Sequence, residues 1–253
     1  MTIEHIKNRA AVIWDFDGVL YSYHTIPKEE LEENFFAANA RGAVETIPGL
    51  TEEEARRIGA EAFEKYHDTI TGFMPFAERL GKDPIAFKTE LLAAQLKWSY
   101  RNITSNVPEL IEPCAETNDL FDRLQPHVRH IMVTHASAEH WARPVAQNLG
   151  VAHYFDNIFG YDDFHFKSKG ESAYAVNMAL ETLAAKPAHA IFIEDQLRHL
   201  QVAKEEFSDL FTIFIEGAEP IEKPDYVDLM VKRPKNFLKL LLESKKSTTR
   251  SAA

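Results

Sequence analysis

Short, nearly continuous apolar runs recur along the chain, and the first is Ala10–Phe16, AAVIWDF. Continuous rather than alternating hydrophobicity is typical of strands that are buried on both faces, as in a parallel sheet. Similar runs predict later strands in Val128–Val133, Tyr154–Gly160, Ala190–Ile193, Phe211–Ile215 and Val227–Val231. Helical spacing predicts helices over Ser137–Leu149, Ser172–Ala185, Leu197–Phe207 and Asn236–Leu242. This alternation predicts an α/β fold with a doubly wound parallel sheet.

A block from about Ile26 to Leu124 has a different pattern, with charges on one face of successive helical stretches. Thr51 followed by Glu54 is a capping-box pattern, which marks a helix start. The block is therefore predicted to be all-helical and inserted after the first strand. The predicted organisation is an α/β core of residues 1–22 and 125–243, an inserted helical domain of residues 23–124, and a disordered tail of residues 244–253.

Charge and composition narrow the classes of partner. Lysine and arginine number 28 against 39 aspartate and glutamate residues, a formal net charge of −11. An acidic chain binds nucleic acid polymers and anionic membranes poorly, so neither is an expected partner. A single cysteine, Cys114, excludes an intrachain disulfide. No apolar run has the length of a membrane span, and the first residues lack the pattern of a signal peptide, so we expect a cytoplasmic protein.

Polar side chains follow four of the predicted strands. In open α/β sheets, ligands bind outside the carboxyl ends of the strands. The residues expected there are Asp15, Asp17, Thr134, Lys167, Lys169, Glu194 and Asp195. Clustered carboxylates need a cation, and Mg²⁺ takes oxygen ligands. A hydroxyl and an ammonium suit phosphate oxygens. The pattern therefore predicts a site for phosphate and Mg²⁺.

The segment Asp15-Phe16-Asp17-Gly18-Val19-Leu20, directly after an apolar strand, resembles the first motif of the haloacid dehalogenase-like (HAD) hydrolase superfamily. Thr134, a lysine at 167 or 169, and Glu194-Asp195 resemble the second, third and fourth motifs, in the same order. The helical block is similar in position to the helical cap of the family. The stretch IFIEDQLRHLQVAKE is also similar to pyrimidine 5′-nucleotidase-like members.

The resemblance implies a Rossmann-like core, a helical cap and a role for each matching residue. Asp15 would be the nucleophile and a metal ligand. Asp17 would be the general acid and base, and its carbonyl oxygen would also ligate the metal. Thr134 and one of the two lysines would hold the phosphoryl group, while Glu194 and Asp195 would complete the Mg²⁺ site. The implied activity is Mg²⁺-dependent hydrolysis of a small phosphate monoester through an aspartyl-phosphate.

Other functions remain open at this stage. The substrate is expected to be a small phosphorylated metabolite, with a nucleoside 5′-monophosphate as one candidate. A phosphosugar phosphatase or a phosphomutase would use the same aspartate. A non-catalytic ligand-binding protein on this fold is the alternative from another class. Dehalogenation is disfavoured because it does not require the acid and base carboxylate of Asp17.

The chain also departs from the family pattern beside three of the motifs. His135 and His199 stand where relatives often have asparagine, and Lys167-Ser168-Lys169-Gly170 lacks the proline that often follows the lysine. We favour Lys169 over Lys167 as the phosphate ligand because it directly precedes the expected helix start at Gly170-Glu171. His135 is expected close to the site, and Tyr21 is a candidate to line the pocket.

Overall fold

In a computed structural model, the structure describes residues 4–21, 28–66, 69–99, 111, 113–217 and 220–251. Contacts divide the chain into two units. The larger comprises Met1–Tyr23, Ile111–Ala138 and Ala142–Ala253, and the smaller comprises His24–Leu110 and Glu139–Trp141.

The larger unit contains a parallel sheet of six strands in the order β3-β2-β1-β4-β5-β6. The strands are β1 Ala11–Trp14, β2 Arg129–Val133, β3 Phe155–Phe159, β4 Ala190–Glu194, β5 Phe211–Ile215 and β6 Leu229–Val231. Strand β1 lies between β2 and β4, with Ile13 opposite Ile131 on one side and Phe192 on the other. The predicted doubly wound α/β core is confirmed.

Helices cover both faces of the sheet, as its continuous apolar strands predict. In the larger unit they are α1 Glu4–Lys7, α6 Ala115–Leu124, α7 Arg143–Asn148, α8 Tyr174–Thr182, α9 Leu197–Glu206 and α10 Pro234–Ser251. Ile13 and Phe192 belong to the core cluster with α8 and α9. On the opposite face, the Trp14 ring lies 5.4 Å from Phe121 of α6 and 5.9 Å from Phe237 of α10.

His130 of β2 is part of this second face. Its Nδ1 accepts a hydrogen bond of 3.1 Å from the indole nitrogen of Trp14. Burial lowers the pKa of His130 to about 3, so the imidazole is neutral near pH 7.

Two boundaries differ from the sequence prediction. Helix α6 was assigned to the inserted block, but it lies within the larger unit because Phe121 packs on Trp14. The closing helix α10 extends through Ser251, where a disordered tail from residue 244 was predicted. The ammonium group of Lys245 donates to the carbonyls of Lys7 and Arg9, at 2.9 and 2.6 Å, which holds this polar segment against the start of the chain.

In the smaller unit, the α-helices are α2 Lys28–Thr46, α3 Glu52–Tyr66, α4 Pro75–Arg79 and α5 Pro84–Ser99. No strand occurs in the described part of residues 28–99. The predicted capping box is present at the start of α3. The Glu54 amide donates to the Thr51 hydroxyl and the Thr51 amide donates to the Glu54 carboxylate, both at 3.2 Å. Among the described helices, none is both long and apolar enough to span a membrane.

Candidate active site

The end of β1 presents Asp15 to the carboxyl edge of the sheet. The Asp15 amide donates to the Ile193 carbonyl at 2.9 Å, which continues the pairing with β4 for one residue beyond the strand. Gly18 then turns the chain with a φ of +79°, in the left-handed region that favours glycine. A Cβ at position 18 would lie 2.9 Å from Cγ of Asp195, so the absence of a side chain lets the β1 and β4 loops approach closely.

Asp17 is oriented by two hydroxyl groups. The Thr134 hydroxyl donates to one carboxylate oxygen at 2.8 Å, and the Tyr21 hydroxyl donates to the other. Thr134 is fully buried after β2, and its own oxygen accepts the Ala136 amide at 3.0 Å. The structure therefore brings Thr134 to Asp17, and it gives Tyr21 a defined contact within the site.

The structure separates the two candidate lysines. Lys169 is only 3% exposed, and its ammonium group pairs with Asp15 and, at 2.8 Å, with Glu194. Burial alone would lower the pKa of Lys169, but Asp15 and Glu194 outweigh it and raise the pKa. Lys167 is exposed, and its ammonium nitrogen lies 4.2 Å from the ring centroid of Tyr174. Only Lys169 of this pair lies among the carboxylates.

Alanine substitution tests this separation. We expect Lys169→Ala to lose at least about tenfold in kcat/KM, because it removes the positive charge beside Asp15, and Lys167→Ala to stay within about twofold. Steady-state kinetics measures the effect, and thermal unfolding checks that each variant folds. If Lys169→Ala does not fold, Lys169→Met is assayed in its place, because methionine keeps the apolar stem of lysine without the charge. Equal, minor losses at both positions would mean that neither lysine binds phosphate.

Three carboxylates meet at the edge between β1 and β4. One oxygen each from Asp15, Glu194 and Asp195 lies within 4.8 Å of the others. Burial and the neighbouring Glu194 raise the pKa of Asp15 well above its usual value. The same two causes raise the pKa of Asp195 to about 7. Glu194 is also buried, but Lys169 and His199 outweigh that effect and lower its pKa. Such a cluster of oxygen donors fits a divalent cation, which would relieve the repulsion.

Two histidines adjoin these residues. The Nε2 atom of His135 accepts the Lys169 amide at 3.0 Å, in agreement with its expected place close to the site. Burial lowers the pKa of His135 well below its usual value, which keeps this nitrogen free to accept. His199, whose Nδ1 lies 2.9 Å from a Glu194 oxygen, was not among the predicted site residues. Its place in the first turn of the helix that follows Glu194-Asp195 is the sequence signal that could have identified it.

Comparison with known proteins covers most of the chain. The family model of the haloacid dehalogenase-like hydrolases matches residues 10–205. No curated protein matches this chain. Among solved structures, a HAD phosphatase from Thermococcus onnurineus is 18% identical with a TM-score of 0.57, over 92% of this chain and 97% of that one.

Two further solved structures are similar over comparable lengths. CbbY from Rhodobacter sphaeroides, in complex with phosphate, is 19% identical with a TM-score of 0.55, over 90% of this chain and 96% of that one. YfnB from Bacillus subtilis, bound to magnesium, is 14% identical with a TM-score of 0.52, over 92% and 98%. At these identities the likeness is one of fold. The family match, in contrast, spans well over half of the sequence, and the chain belongs to the haloacid dehalogenase-like hydrolases.

Proposed function

We infer that this hydrolase is a magnesium-dependent phosphatase that cleaves phosphate monoesters of small molecules through an aspartyl-phosphate on Asp15. The observation that carries this inference is the arrangement around that side chain. Asp15 lies against the buried ammonium group of Lys169, within a cluster that includes Glu194 and Asp195. A second carboxylate, Asp17, follows two residues later with both of its oxygens hydrogen-bonded.

In the first step, a carboxylate oxygen of Asp15 attacks phosphorus and the bond from phosphorus to the ester oxygen breaks. Asp17, protonated at the start of the cycle, gives this proton to that leaving oxygen and becomes a carboxylate, so that a neutral alcohol departs. In the second step, Asp17 takes a proton from water, the water oxygen attacks phosphorus, and Asp15 is released together with inorganic phosphate. Covalent catalysis of this kind divides one difficult displacement into two easier ones.

The other residues support these steps by position and charge. Thr134 and Tyr21 hold the Asp17 carboxylate from both oxygens and so fix its direction. Lys169 supplies a positive charge for the phosphoryl oxygens. Asp15, Glu194 and Asp195 would hold Mg²⁺ together with the Asp17 carbonyl, and the ion would offset the charge repulsion between carboxylate and phosphate. The phosphate and magnesium bound in two similar structures support this choice of ligands.

A panel of phosphate esters tests the proposal. We expect Mg²⁺-dependent release of inorganic phosphate from para-nitrophenyl phosphate, nucleoside 5′-monophosphates and sugar phosphates, with a small metabolite as the best substrate. The nucleotidase-like fourth motif makes nucleoside monophosphates the first compounds to assay. Faster turnover of a folded phosphoprotein would contradict the choice of small substrates.

Two results in the same assays would replace hydrolysis with an alternative. Isomerisation of a sugar phosphate without release of phosphate would identify a phosphomutase. Binding of phosphate esters, seen by calorimetry, without any turnover would identify a non-catalytic binding protein. Asp15→Asn serves as the negative control for contaminating phosphatases.

A further inference from the structure

The loop that carries Lys169 is held at its backbone by side chains from two other elements. Residues 160–171 form turns and irregular structure, without helix or strand. The Lys169 amide donates to Nε2 of His135, which follows β2, at 3.0 Å. One residue later, the carbonyl of Gly170 accepts a hydrogen bond from Nε of Arg198 in α9, also at 3.0 Å. The peptide group before Lys169 and the one after Gly170 are therefore each held by a side chain from another element.

Helix α9 also packs directly on this loop. A Cβ at Gly170 would lie 3.3 Å from Cδ2 of His199 and 3.4 Å from Cγ of Arg198. The first separation is tighter than ordinary van der Waals contact and the second is at its lower limit, so the glycine allows the helix to lie against the loop backbone. Residue 170 is therefore a point of direct contact between the loop and α9.

His199 joins the loop to the carboxylate cluster. Its Nδ1 lies 2.9 Å from the Glu194 oxygen to which the Lys169 ammonium group donates at 2.8 Å. The rings of His135 and His199 meet edge to face, with 5.1 Å between their centroids. One histidine thus contacts the lysine backbone, the other contacts the carboxylate that pairs with the lysine side chain, and the two rings support each other.

We propose that His135 and His199 are positioning residues, His135 for the ammonium group of Lys169 and His199 for the metal-binding carboxylate of Glu194. This proposal rests on the proposed phosphatase function. A lysine side chain has four rotatable bonds, and an irregular loop adds backbone freedom, so its ammonium group is placed accurately only if the backbone is held. A small displacement of such a group is costly for catalysis.

Paired substitutions test the histidine beside Lys169. Outer contacts of this kind typically change activity or metal affinity by about 10- to 100-fold, and we expect such a loss of kcat/KM in His135→Ala. His135→Gln, whose side-chain oxygen can accept the Lys169 amide, should recover most of the loss. His127→Ala, an exposed histidine in the turn before β2, is the matched control. A His135→Ala enzyme with activity within about twofold of wild type would overturn this half of the proposal.

The second pair tests the histidine beside Glu194. We expect His199→Ala to raise the half-saturating Mg²⁺ concentration by about tenfold and to reduce the rise in melting temperature that Mg²⁺ produces. His199→Asn, which places an amide nitrogen near Nδ1, should restore both. If His199→Ala does not fold, His199→Asn is compared with His199→Leu instead. Both side chains fill the space of the histidine ring, and only asparagine supplies a nitrogen. Equal Mg²⁺ responses in the folded variants would overturn this half of the proposal.

The thermal measurement separates this proposal from the proposed function. Suppose that the wild-type protein hydrolyses no phosphate ester, and that its stabilisation by Mg²⁺ is reduced in His199→Ala and kept in His199→Asn. That result would refute the phosphatase and support the role of His199. An active phosphatase whose alanine variants at both histidines match the His127→Ala control would support the phosphatase and refute the positioning role.

Discussion

Asp15→Asn should abolish turnover while leaving the fold intact. The amide retains the shape of the carboxylate but cannot attack phosphorus, and removal of a nucleophile commonly costs at least about a thousandfold in kcat. The fold should tolerate the change because it removes one charge from a crowded group of buried carboxylates, in which the pKa of Asp15 is already raised by burial and Glu194. Phosphate release and thermal unfolding measure the two expectations.

An exposed aspartate provides the matched control for this substitution. Asp119→Asn makes the same chemical change on the surface of α6, where Asp119 pairs with Arg123 at 3.1 Å. Exposed pairs of this kind contribute little to stability, so this variant should behave as wild type. A covalent phosphoryl group trapped on wild-type protein by rapid acid quench, and absent from Asp15→Asn, would add direct support. Activity of Asp15→Asn within about tenfold of wild type would rule out the nucleophile.

Removal of divalent cations should reduce turnover to background. Asp15, Glu194 and Asp195 lie close together, and Lys169 offsets only part of their mutual repulsion, which a divalent cation would relieve. Activity in excess chelator should be restored by Mg²⁺ and not by Ca²⁺, because Ca²⁺ adopts a looser and larger coordination shell. Asp195→Asn should raise the half-saturating Mg²⁺ concentration by about tenfold or more, whereas Asp119→Asn should leave it unchanged. Full activity in excess chelator would contradict a metal-dependent mechanism.

The same site predicts how the Mg²⁺ requirement depends on pH. Burial and Glu194 raise the pKa of Asp195 to about 7 from 3.8. Between pH 3.8 and about 7, the Asp195 carboxyl is therefore protonated in the metal-free folded chain and ionised in the unfolded chain. This carboxyl therefore stabilises the metal-free fold fully below about pH 4, and that contribution is lost as the pH rises through 7. Mg²⁺ would compete with this proton for the Asp195 carboxylate.

The half-saturating Mg²⁺ concentration should consequently increase as the pH is lowered from about 8 to 6. Thermal unfolding at several Mg²⁺ concentrations measures this dependence without relying on turnover. Asp195→Asn lacks the titrating carboxyl, so its dependence on pH should be flatter. An identical dependence in wild type and Asp195→Asn would assign the proton to a different group.

Local sequence determined much of the architecture. Strands buried on both faces require uninterrupted apolar side chains, so Ala10–Phe16 and the later apolar runs identify the sheet without knowledge of their partners. The capping box of Thr51 and Glu54 is likewise a contact between near neighbours, and it is present as predicted. Strand ends also identify the residues around the site, because parallel strands bring their carboxyl ends to one edge.

Long-range packing decided the boundaries. Helix α6 is amphipathic, as α3 of the inserted block also is, and only long-range contacts, such as that of Phe121 with Trp14, assign it to the larger unit. The end of α10 is polar, and Lys245 in it donates to the carbonyl groups of Lys7 and Arg9, more than 200 residues away in sequence. Composition near a terminus carries no information about such distant acceptors.

The choice between the two lysines illustrates the same limit at the site itself. Lys167 and Lys169 are two residues apart in an irregular loop, where no helical or strand periodicity fixes the direction of a side chain. Local chemistry therefore limited the choice to two ammonium groups. Contacts of His135 with the Lys169 amide and of Arg198 with the Gly170 carbonyl turn Lys169 towards Asp15, and those contacts exist only once β2 and α9 have packed beside the loop.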